Sequence, residues 1–395
     1  MKKYLFIIVT LLTAMACQKD NLQTQSTVAL IQIDKPQNLK NAQLSHIKLT
    51  AREANTGLTT LLDVSPEGLL TQKLPFGSYT FSLEATISYE VGEEKVQGKA
   101  KSYVENVLVK PETSPTVCKF FLINEKANFV IKELFYTGNT TPEGKSYNGD
   151  KYFLIYNNSD SVLYADGLLI SQSKFLTSAQ NMYTPDVMNE AFTTSQIVMI
   201  PGDGDDYPIQ PGAQFVVANN AINHLEYNSN SLDLSTAEFE IDLIASINVD
   251  NPLVPNTIGV TGSLLMNNQG LQSYVIAKLP KDVSVDQYLK DNFYTYSWKN
   301  ALGNTQTSTG YKLPNDYIID AVNVGIQQNY QWLVTAPSID MGYTYTSVIN
   351  ADLNRFGKSV IRKVLSTSAT GKDILQDTNN SAADFIPQAK PSLYK

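Results

Sequence analysis

Apolar and polar residues alternate with a period of two along most of this chain. Successive side chains of a β-strand point to opposite faces, so this pattern predicts strands that bury one face. Aromatic and β-branched residues, which pleated surfaces favour, dominate these segments, and tyrosine alone occurs 22 times. The sequence therefore predicts an all-β protein, with N-terminal strands at 28–34, 46–54, 79–90, 102–110 and 117–123.

The chain is predicted to form two β-sandwiches. Residues 28–123 have six or seven short strand patterns, which suits a single small Ig-like sandwich of roughly 100 residues. A short hinge follows at 124–127, and further strand patterns continue over 127–390. We expect this second region to form a larger β-sandwich.

Helix signals are sparse and lie in one stretch. Ser235 with Glu238, and Ser284 with Gln287, have the S-x-x-E/Q spacing of a capping box, which predicts two short helices. Both lie within residues 220–310, which we interpret as a long insertion that decorates the second sandwich. Loops on a rigid scaffold vary without cost to the core, so a binding surface is expected there.

The N-terminus has the three parts of an export signal over residues 1–16. Lys2 and Lys3 precede an apolar run, and small residues then precede Cys17. The run is about nine residues, roughly half of what a membrane-spanning helix needs. A cysteine directly after a small residue resembles a bacterial lipoprotein box, and the resemblance implies that Cys17 is acylated. The alternative is an ordinary secretory signal with an incidental cysteine.

The residues after Cys17 are polar and lack periodicity, so 17–27 is predicted to be a flexible tether. Each buried CH₂ of a lipid chain contributes roughly 0.8 kcal/mol, so several chains would anchor the protein almost permanently. Lys19 and Asp20 resemble the export signal of Bacteroidota lipoproteins, which implies the outer face of the outer membrane.

Charge and cysteine content narrow the range of partners. Cleavage of the signal would leave 28 Lys and Arg against 38 Asp and Glu, a net charge of −10. Such a surface disfavours phosphate backbones, so nucleic acid is not an expected partner. Once Cys17 is lipidated, only Cys118 remains, and no intramolecular disulfide can form.

No catalytic motif stands out. The chain has two histidines, His46 and His224, far apart in sequence, which excludes a zinc site of His and Cys ligands. There is no G-x-S-x-G nucleophile elbow. Two acid pairs have the chemistry of a glycoside hydrolase, but among 38 acids such pairs are expected as solvated surface charge. They are Asp316 with Asp320 and Glu238 with Glu240.

The turn PGDGDDYP gathers Asp203, Asp205 and Asp206 into four positions. Calcium prefers such oxygen ligands, but the D-x-D-x-D-G spacing and distal glutamate of a calcium loop are missing. Strand-like IVMI precedes the turn and FVVAN follows it. We therefore interpret the stretch as a bend between two strands, and a calcium site is the weaker alternative. No other metal and no cofactor is predicted.

Two aromatic stretches, FYTYSW and NYQW, fall where the pattern indicates loops. Exposed Tyr and Trp rings offer large rigid surfaces of the kind that sugar and peptide binders use. The candidate ligand-binding residues are Tyr294, Tyr296 and Trp298, and Trp298 is the expected exposed platform. Aromatic residues of a sandwich more often fill its core, which is our interpretation for Tyr330 and Trp332.

Asp160, Ser161 and Val162 form a further candidate modification site. The tripeptide resembles the D-S/T-apolar site at which related bacteria O-glycosylate exported proteins. If Ser161 is the acceptor it must lie on an exposed turn, which the preceding NNS favours.

Residues 67–85, EGLLTQKLPFGSYTFSLEA, resemble the prealbumin-like or carboxypeptidase-regulatory-like modules of bacterial surface proteins. The resemblance consists of a glycine turn, a strand and a Leu-Pro-x-Gly-x-Tyr strand entry. It implies a structural stalk or spacer and assigns no functional residue.

The second region resembles the lamin-tail fold, an Ig-like sandwich, and more narrowly an uncharacterised family of Bacteroidota surface lipoproteins. The resemblance rests on several segments in order, among them AINHLEYNSNSLDLSTAEFE, PNDYIIDAV and DTNNSAADF. In the last, pairing of Arg362 with Asp377 or Asp384 is expected to close the final strand onto the sandwich.

These observations together predict an outer-membrane, surface-exposed lipoprotein without enzymatic activity. We expect a binding or accessory role beside a TonB-dependent β-barrel transporter, which such lipoproteins commonly accompany, with a glycan or peptide as ligand. Two alternatives stay open: a glycan-directed surface hydrolase that uses paired carboxylates, and a purely structural or adhesive protein.

Overall fold

The computed structural model describes residues 25–36, 39–67, 73–91, 94–111, 114–122, 128–243 and 246–394. The signal sequence, Cys17 and most of the predicted tether lie outside these residues. The chain divides into two compact units, the first ending at Phe121 and the second beginning at Leu122. No helix among the described residues has the length and apolar character that crossing a membrane requires.

The first unit consists of strands joined by short turns. Its strands are β1 (Ser26–Thr27), β2 (Ile31–Asp34), β3 (Lys40–Glu53), β4 (Thr59–Val64), β5 (Leu74–Pro75), β6 (Gly77–Val91), β7 (Glu94–Val109) and β8 (Thr116–Lys119), while β9 (Phe121–Leu122) spans the junction of the units.

Strands β4, β3, β6 and β7 lie side by side in that order, each antiparallel to the next. The predicted alternation is clear on β6, where every second residue is buried: Tyr79, Phe81, Leu83, Ala85 and Ile87. Two small pairs, antiparallel β1–β5 and parallel β2–β8, complete this unit.

The second unit holds the remaining elements. Its strands are β10 (Phe129–Phe135), β11 (Asn139–Thr140), β12 (Ser146–Tyr147), β13 (Tyr152–Asn157), β14 (Leu163–Tyr164), β15 (Leu168–Ser173), β16 (Ala191–Met199), β17 (Pro208–Ile209), β18 (Gln214–Ala218), β19 (Phe239–Glu240), β20 (Ile258–Gly259), β21 (Tyr274–Lys278), β22 (Phe293–Lys299), β23 (Thr305–Pro314), β24 (Ile318–Val322), β25 (Ser359–Arg362), β26 (Val364–Thr367), β27 (Asp373–Leu375) and β28 (Phe385–Ala389). Its helices are α1 (Val285–Asn292) and α2 (Ser381–Asp384), and short 3₁₀ turns occur at His224–Glu226, Asn315–Tyr317 and Leu353–Arg355.

Two large sheets organise the second unit. Sheet A has the order β19-β18-β13-β10-β25-β28, and sheet B has the order β22-β23-β16-β15-β21-β24. Their inward side chains meet in one core. Sheet A contributes residues such as Phe153 and Phe215, and sheet B contributes residues such as Ile170, Tyr274 and Ile276. The sheets therefore face each other, and the prediction of a mainly β chain is confirmed.

Both outer faces of this pair of sheets are covered. Strands β13 and β15 are buried at every residue. Over sheet A, Leu232, Leu234 and Val254 of the loops pack on Tyr152 and Leu154. Over sheet B, Tyr288 of α1 with Trp332 and Val334 of a later loop pack on Leu169 and Val275. We call residues 219–243 and 246–254, parts of which pack on sheet A, the cover segment.

The structure corrects three predictions for residues 220–310. Strand β21 lies in the interior of sheet B, between β15 and β24, so this part of the predicted insertion belongs to the sheet. FYTYSW forms strand β22 instead of a loop. Ser284 caps α1 by accepting a hydrogen bond from the Gln287 N–H, as predicted. No helix starts at Ser235, because its hydroxyl instead donates to Asp233.

Candidate functional site

The aspartate-rich turn is organised around a carboxylate that is not one of its own. Asp166 accepts hydrogen bonds from the backbone N–H groups of Gly204, Asp206 and Tyr207 at 3.1, 2.9 and 2.9 Å. Burial raises the pKa of Asp166, but these donors outweigh it and the net pKa is lowered. A Cβ at Gly202 would lie 2.2 Å from Asp166 Oδ1. The turn therefore binds an internal anion.

The weak calcium site at Asp203, Asp205 and Asp206 is not assembled. Among the described residues, no group of three or more His, Cys, Asp or Glu side chains is placed to hold a metal ion. Asp206 accepts a hydrogen bond from the Asp203 backbone at 2.9 Å, as in a simple turn. The interpretation of this stretch as a bend between strands is confirmed, since it connects β16 to β17 and β18.

The aromatic candidates form a packed layer on one face of β22. Tyr296 is buried, and Trp298 is only half-buried, with its ring stacked on Tyr296 at a centroid distance of 5.8 Å. Tyr183 covers Trp298 from a neighbouring loop, also at 5.8 Å. The Tyr294 hydroxyl is hydrogen-bonded to Thr193 at 2.6 Å. Trp298 is therefore only partly exposed, and its role as a ligand platform stays a prediction.

Trp332 is buried, as predicted for a core residue, and its indole N–H donates to the Leu176 carbonyl at 2.8 Å. Ser161 is exposed on the bend that follows β13, where an acceptor serine must lie. Its O-glycosylation stays a prediction.

The two members of each acid pair differ in burial and in hydrogen-bond partners. Asp316 is exposed, and Asp320 is buried with its Oδ2 only 2.6 Å from Arg362 Nη2. Burial raises the pKa of the Asp320 carboxyl, and the Arg362 guanidinium acts in the opposite direction. Both acids line one polar cavity of about 590 Å³. Glu238 is exposed, whereas Glu240 is buried and accepts the N–H groups of two loop residues.

Arg362 also pairs with carboxylates close to the C-terminal strand β28, as predicted. Its Nη1 lies 3.4 Å from Asp377 Oδ1 and 3.7 Å from Asp384 Oδ2. The Lys363 N–H donates to the Asp384 carbonyl at 2.7 Å, next to the pairing of β25 with β28. These contacts give Asp320, Asp377 and Asp384 a structural role in holding the chain end.

A different cavity has the character of a binding site. The Tyr147 pocket encloses about 440 Å³ between β12 and the cover segment. Most of its wall is apolar, with the partly exposed side chains of Ile247 and Val249 at its rim. The apolar and aromatic lining residues are Tyr147, Ile222, Tyr227, Leu243, Ile247 and Val249.

His224 fixes the polar end of the Tyr147 pocket. It is buried, as expected for a hydrogen-bonded loop residue, and its Nε2 lies 2.9 Å from the Asn220 carbonyl. A carbonyl only accepts, so Nε2 carries the proton. Burial lowers the pKa of His224, which keeps the ring neutral and leaves Nδ1 as an acceptor.

The Tyr147 hydroxyl lies 2.7 Å from His224 Nδ1 and therefore donates to it. Burial raises the pKa of Tyr147 to about 12, so the phenol keeps this proton at neutral pH. Because its single hydrogen is used, the Tyr147 oxygen offers only acceptor capacity to a ligand.

Asn219 also lines this pocket, and its side chain is 5% exposed. Nδ2 donates to the Asn148 carbonyl at 3.4 Å. Oδ1 is buried and has no hydrogen-bond partner among the described residues.

A second cavity, the acidic pocket, adjoins the first. It encloses about 430 Å³ and shares Ile222 and Tyr227 with the Tyr147 pocket. Its wall includes the carboxylates of Glu226, Asp233 and Asp250. Tyr227 is 66% exposed and stands between the two pockets. We call both pockets together the groove.

Comparison with known proteins places the groove in a family context. Residues 210–392 match the family described as "Protein of unknown function (DUF4876)". A solved structure of a DUF4876 family protein from Bacteroides thetaiotaomicron VPI-5482 has a similar fold, with a TM-score of 0.57 and 22% sequence identity. The similarity covers 92% of this chain and 95% of that one. No curated protein matches the chain.

The DUF4876 match includes the cover segment, hence His224, Tyr227 and the acidic pocket, but not Tyr147. The predicted resemblance to an uncharacterised Bacteroidota family agrees with the similarity of residues 210–392 to a family of unknown function and with the similar fold of the Bacteroides protein. Sequence reasoning missed the groove, although AINHLEY was among the segments that carried the resemblance. Nothing in the sequence places β12, 77 residues upstream, against His224.

Proposed function

We propose that this protein is a lipid-anchored protein of the outer membrane that faces the cell surface and captures a ligand in the groove without converting it chemically. The N-terminal export pattern and Cys17 support the location. The net charge of −10 after cleavage suits a soluble domain kept away from anionic lipid headgroups.

The finer fold assignments belong to the same proposal. The first unit acts as a prealbumin-like spacer, and the facing sheets A and B form a lamin-tail-like, Ig-like sandwich. The shared core of the two sheets supports the second assignment, and the long β6–β7 hairpin suits the first. The spacer would hold the binding domain away from the membrane surface.

The observation that carries the binding role is the mainly apolar Tyr147 pocket, in whose wall the Tyr147 oxygen can accept a hydrogen bond from a ligand. Concave sites with apolar walls and a few convergent polar groups are where small ligands bind. The groove also lies on a cover segment, and such loops carry binding surfaces because the sheets beneath them stay intact.

Retention of a ligand tests the capture role. The mature protein would be purified from outer membranes, and its bound small molecules would be identified by mass spectrometry. Tyr227→Ala should lose the retained molecule, whereas Leu253→Ala should keep it. Leu253 is a matched control because it is 91% exposed on the same segment and lines neither pocket. Preparations in which neither protein retains a molecule would contradict capture in the groove.

We further propose a TonB-dependent β-barrel as the partner of the anchored protein. The same purification, carried out in mild detergent, should then yield a barrel in stoichiometric amount with the wild-type protein. Recovery of the protein alone, under conditions that keep other outer-membrane complexes intact, would count against this partner and favour the adhesive alternative.

A glycan-directed hydrolase is the competing function, and the cavity beside Asp316 and Asp320 is where it would act. Asp320 is engaged by Arg362, so we expect no turnover. The wild-type protein and the Asp316→Asn variant would each be incubated with polysaccharides, and hydrolysis by the two proteins would be compared. Hydrolysis by the wild-type protein that Asp316→Asn abolishes would replace our proposal, and Asp316 suits the test because it is exposed.

A further inference from the structure

The polar cavity beside Asp316 is separate from the groove and shares no lining residue with it. It encloses about 590 Å³, which is within the range of small-molecule sites. Its walls come from segments far apart in sequence: the start of β10, strands β14 and β21, the turn that leads into β24, and the loops at 338–339 and 377–379. We call this space the Tyr164 cavity.

Two side chains in the wall of the Tyr164 cavity have hydrogen-bond donors to spare. Lys278 Nζ donates to the Tyr164 carbonyl at 3.1 Å, and an ammonium group has three N–H donors, so two stay available. Asn128 Oδ1 accepts the Phe129 N–H at 2.8 Å, which orients the amide and leaves its NH₂ group for a ligand. These contacts hold both donors in place before a ligand arrives.

Two further side chains of the wall supply acceptors. Asn379 Nδ2 donates to the Ile339 carbonyl at 3.0 Å, which leaves Oδ1 as an acceptor. Asp316 is exposed, and its carboxylate has no hydrogen bond or ion pair with another described residue. The Tyr164 cavity therefore presents donors and acceptors together, whereas the wall of the Tyr147 pocket is mainly apolar.

The wall carries charges of both signs. Lys278 is basic and Asp316 is acidic, and the carboxylates of Asp320 and Asp377 lie 2.6 and 3.4 Å from the Arg362 guanidinium. A simple ion would meet both attraction and repulsion here, so recognition depends on hydrogen bonds. A hydroxyl group both donates and accepts, which suits such a wall, and a purely apolar ligand would desolvate these groups without pairing them.

Tyr164 adds a flat apolar surface to the cavity. Its side chain is 39% exposed, and its ring stacks on no other ring of the described residues. Tyrosine rings offer rigid contact area with a polar end. The C–H face of a sugar ring can pack on such a ring while the hydroxyls at its edge reach the polar side chains.

An extended peptide also carries donors and acceptors, and it would add to the edge strand β24. This edge is already engaged beside the cavity. The Ile318 N–H donates to the Asn315 carbonyl, and Asp320 Oδ2 accepts the Ile131 N–H at 2.6 Å. The occupied edge favours a saccharide over a peptide.

We propose that the Tyr164 cavity is a binding site for an uncharged saccharide, whose ring packs on Tyr164 and whose hydroxyls bond Lys278, Asp316 and Asn128. The saccharide is bound without cleavage, because Arg362 engages Asp320. The site is separate from the groove and does not depend on what the groove captures.

Binding of the full mature chain to an array of immobilised neutral oligosaccharides tests the proposal. The array would hold oligomers of glucose, galactose, mannose and xylose, and the best-bound oligomer would be titrated by calorimetry at low and high salt. We expect saturable binding whose affinity changes less than about two-fold with salt, because an uncharged ligand has no charge to screen.

Two variants and two matched controls locate the bound oligosaccharide. Tyr164→Ala should weaken its affinity about ten-fold through the lost ring contact, and Asp316→Ala by a similar factor through the lost charged acceptor. Tyr227→Ala and Asp205→Ala remove an exposed tyrosine and an exposed aspartate outside the cavity and should leave the affinity unchanged. Thermal unfolding of each variant checks that its fold is intact.

Three results would overturn the proposal. One is the absence of saturable binding to any oligosaccharide of the array. Another is an equal loss of affinity in Tyr227→Ala and Tyr164→Ala, which would place the saccharide in the groove. The third is binding only to short uncharged peptides on the same array, which would indicate strand addition. Capture in the groove would still be judged separately, by the molecule retained from outer membranes.

Discussion

Arg362 is the residue around which the C-terminal part of the second unit is arranged. It is almost fully buried, contacts three carboxylates and donates to the Ile131 carbonyl at 3.0 Å. The sequence could suggest its pairing with Asp377 or Asp384, because those residues follow within one short hairpin. It could not suggest Asp320, which is the closest of the three at 2.6 Å and lies 42 residues upstream on the other sheet.

Asp320→Asn should lower the free energy of unfolding of the second unit by about 3–5 kcal/mol, because it breaks a buried ion pair. Urea unfolding at pH 8 measures this. Asp160→Asn is the control: it breaks a pair of similar length, 2.8 Å to Lys372, at a fully exposed carboxylate. That change should cost less than about 1 kcal/mol. Equal losses in the two variants would contradict a structural role for the Arg362 contacts.

The turn around Asp166 gives a second comparison between single residues. Gly202 and Gly204 both have positive φ, of 118° and 120°. A Cβ at Gly202 would lie against Asp166, whereas one at Gly204 has open space. Both alanine variants pay for the strained backbone, about 1–3 kcal/mol. Gly202→Ala should in addition displace Asp166 and be the less stable of the two in thermal unfolding. Calcium should raise the stability of neither protein.

Asp340 predicts a pH dependence of stability. It is buried with no cation partner, accepts from Ser381 and Gly342, and burial raises its pKa to about 7. The unfolded value is about 3.9, so between roughly pH 4 and 7 the folded state binds more protons than the unfolded state. Stability should therefore fall as pH rises through this range, by at most about 1.4 kcal/mol per pH unit from this group.

Asp340→Asn should remove that contribution while keeping a side chain that can bond Ser381 and Gly342. Unfolding free energies at pH 5 and pH 8 would be compared for the two proteins. A pH slope that is unchanged in the variant would mean that Asp340 is not the group responsible.

Secondary-structure elements differ in how far the sequence determines them. The alternation over residues 46–54 and 79–90, which fall in β3 and β6, was sufficient to predict strands, because one face of each is buried and the other is not. FYTYSW also alternates, yet the pattern around it indicates a loop. Pairing with β23 over seven residues makes it a strand, and that long-range contact cannot be seen locally.

The two capping boxes show why local signals are incomplete. At Ser284 the hydroxyl accepts the Gln287 N–H at 3.2 Å and α1 forms. At Ser235 neither side chain of the capping box caps a helix. The Ser235 hydroxyl donates to Asp233, and Glu238 accepts the Val216 N–H at 2.8 Å. Ser284→Ala should therefore cost about 0.5–2 kcal/mol of unfolding free energy. Ser235→Ala should cost less, and equal losses of the two variants in calorimetry would contradict this difference between the two serines.

At the scale of the whole molecule, the proposed lipid anchor would determine where the groove operates. Cys17→Ala should move the protein from the membrane fraction to the soluble fraction, because no acyl chains would be attached. Protease added to intact cells should digest the wild-type protein. Protection from the protease would indicate an anchored protein that faces the periplasm, with Lys19 and Asp20 not acting as a surface signal.

The sequence predicted the overall architecture but not the groove. A mainly β chain with a change of pattern near residue 124 followed from composition and periodicity. The groove did not, because its walls come from β12, the end of β18 and the cover segment, which meet only through the packing of Leu232, Leu234 and Val254 on sheet A. None of those contacts has a short-range sequence signature.

The cover segment has one consequence for the divergence of related chains. It supplies both the shared wall at Tyr227 and the three carboxylates, but the inner core of the sheets uses other residues. Substitutions at positions such as Tyr227 and Asp250 can therefore change which molecule is bound while the sheets fold as before. Proteins that share this architecture at 22% identity are free to differ in what they recognise, and each must be assayed for its own ligand.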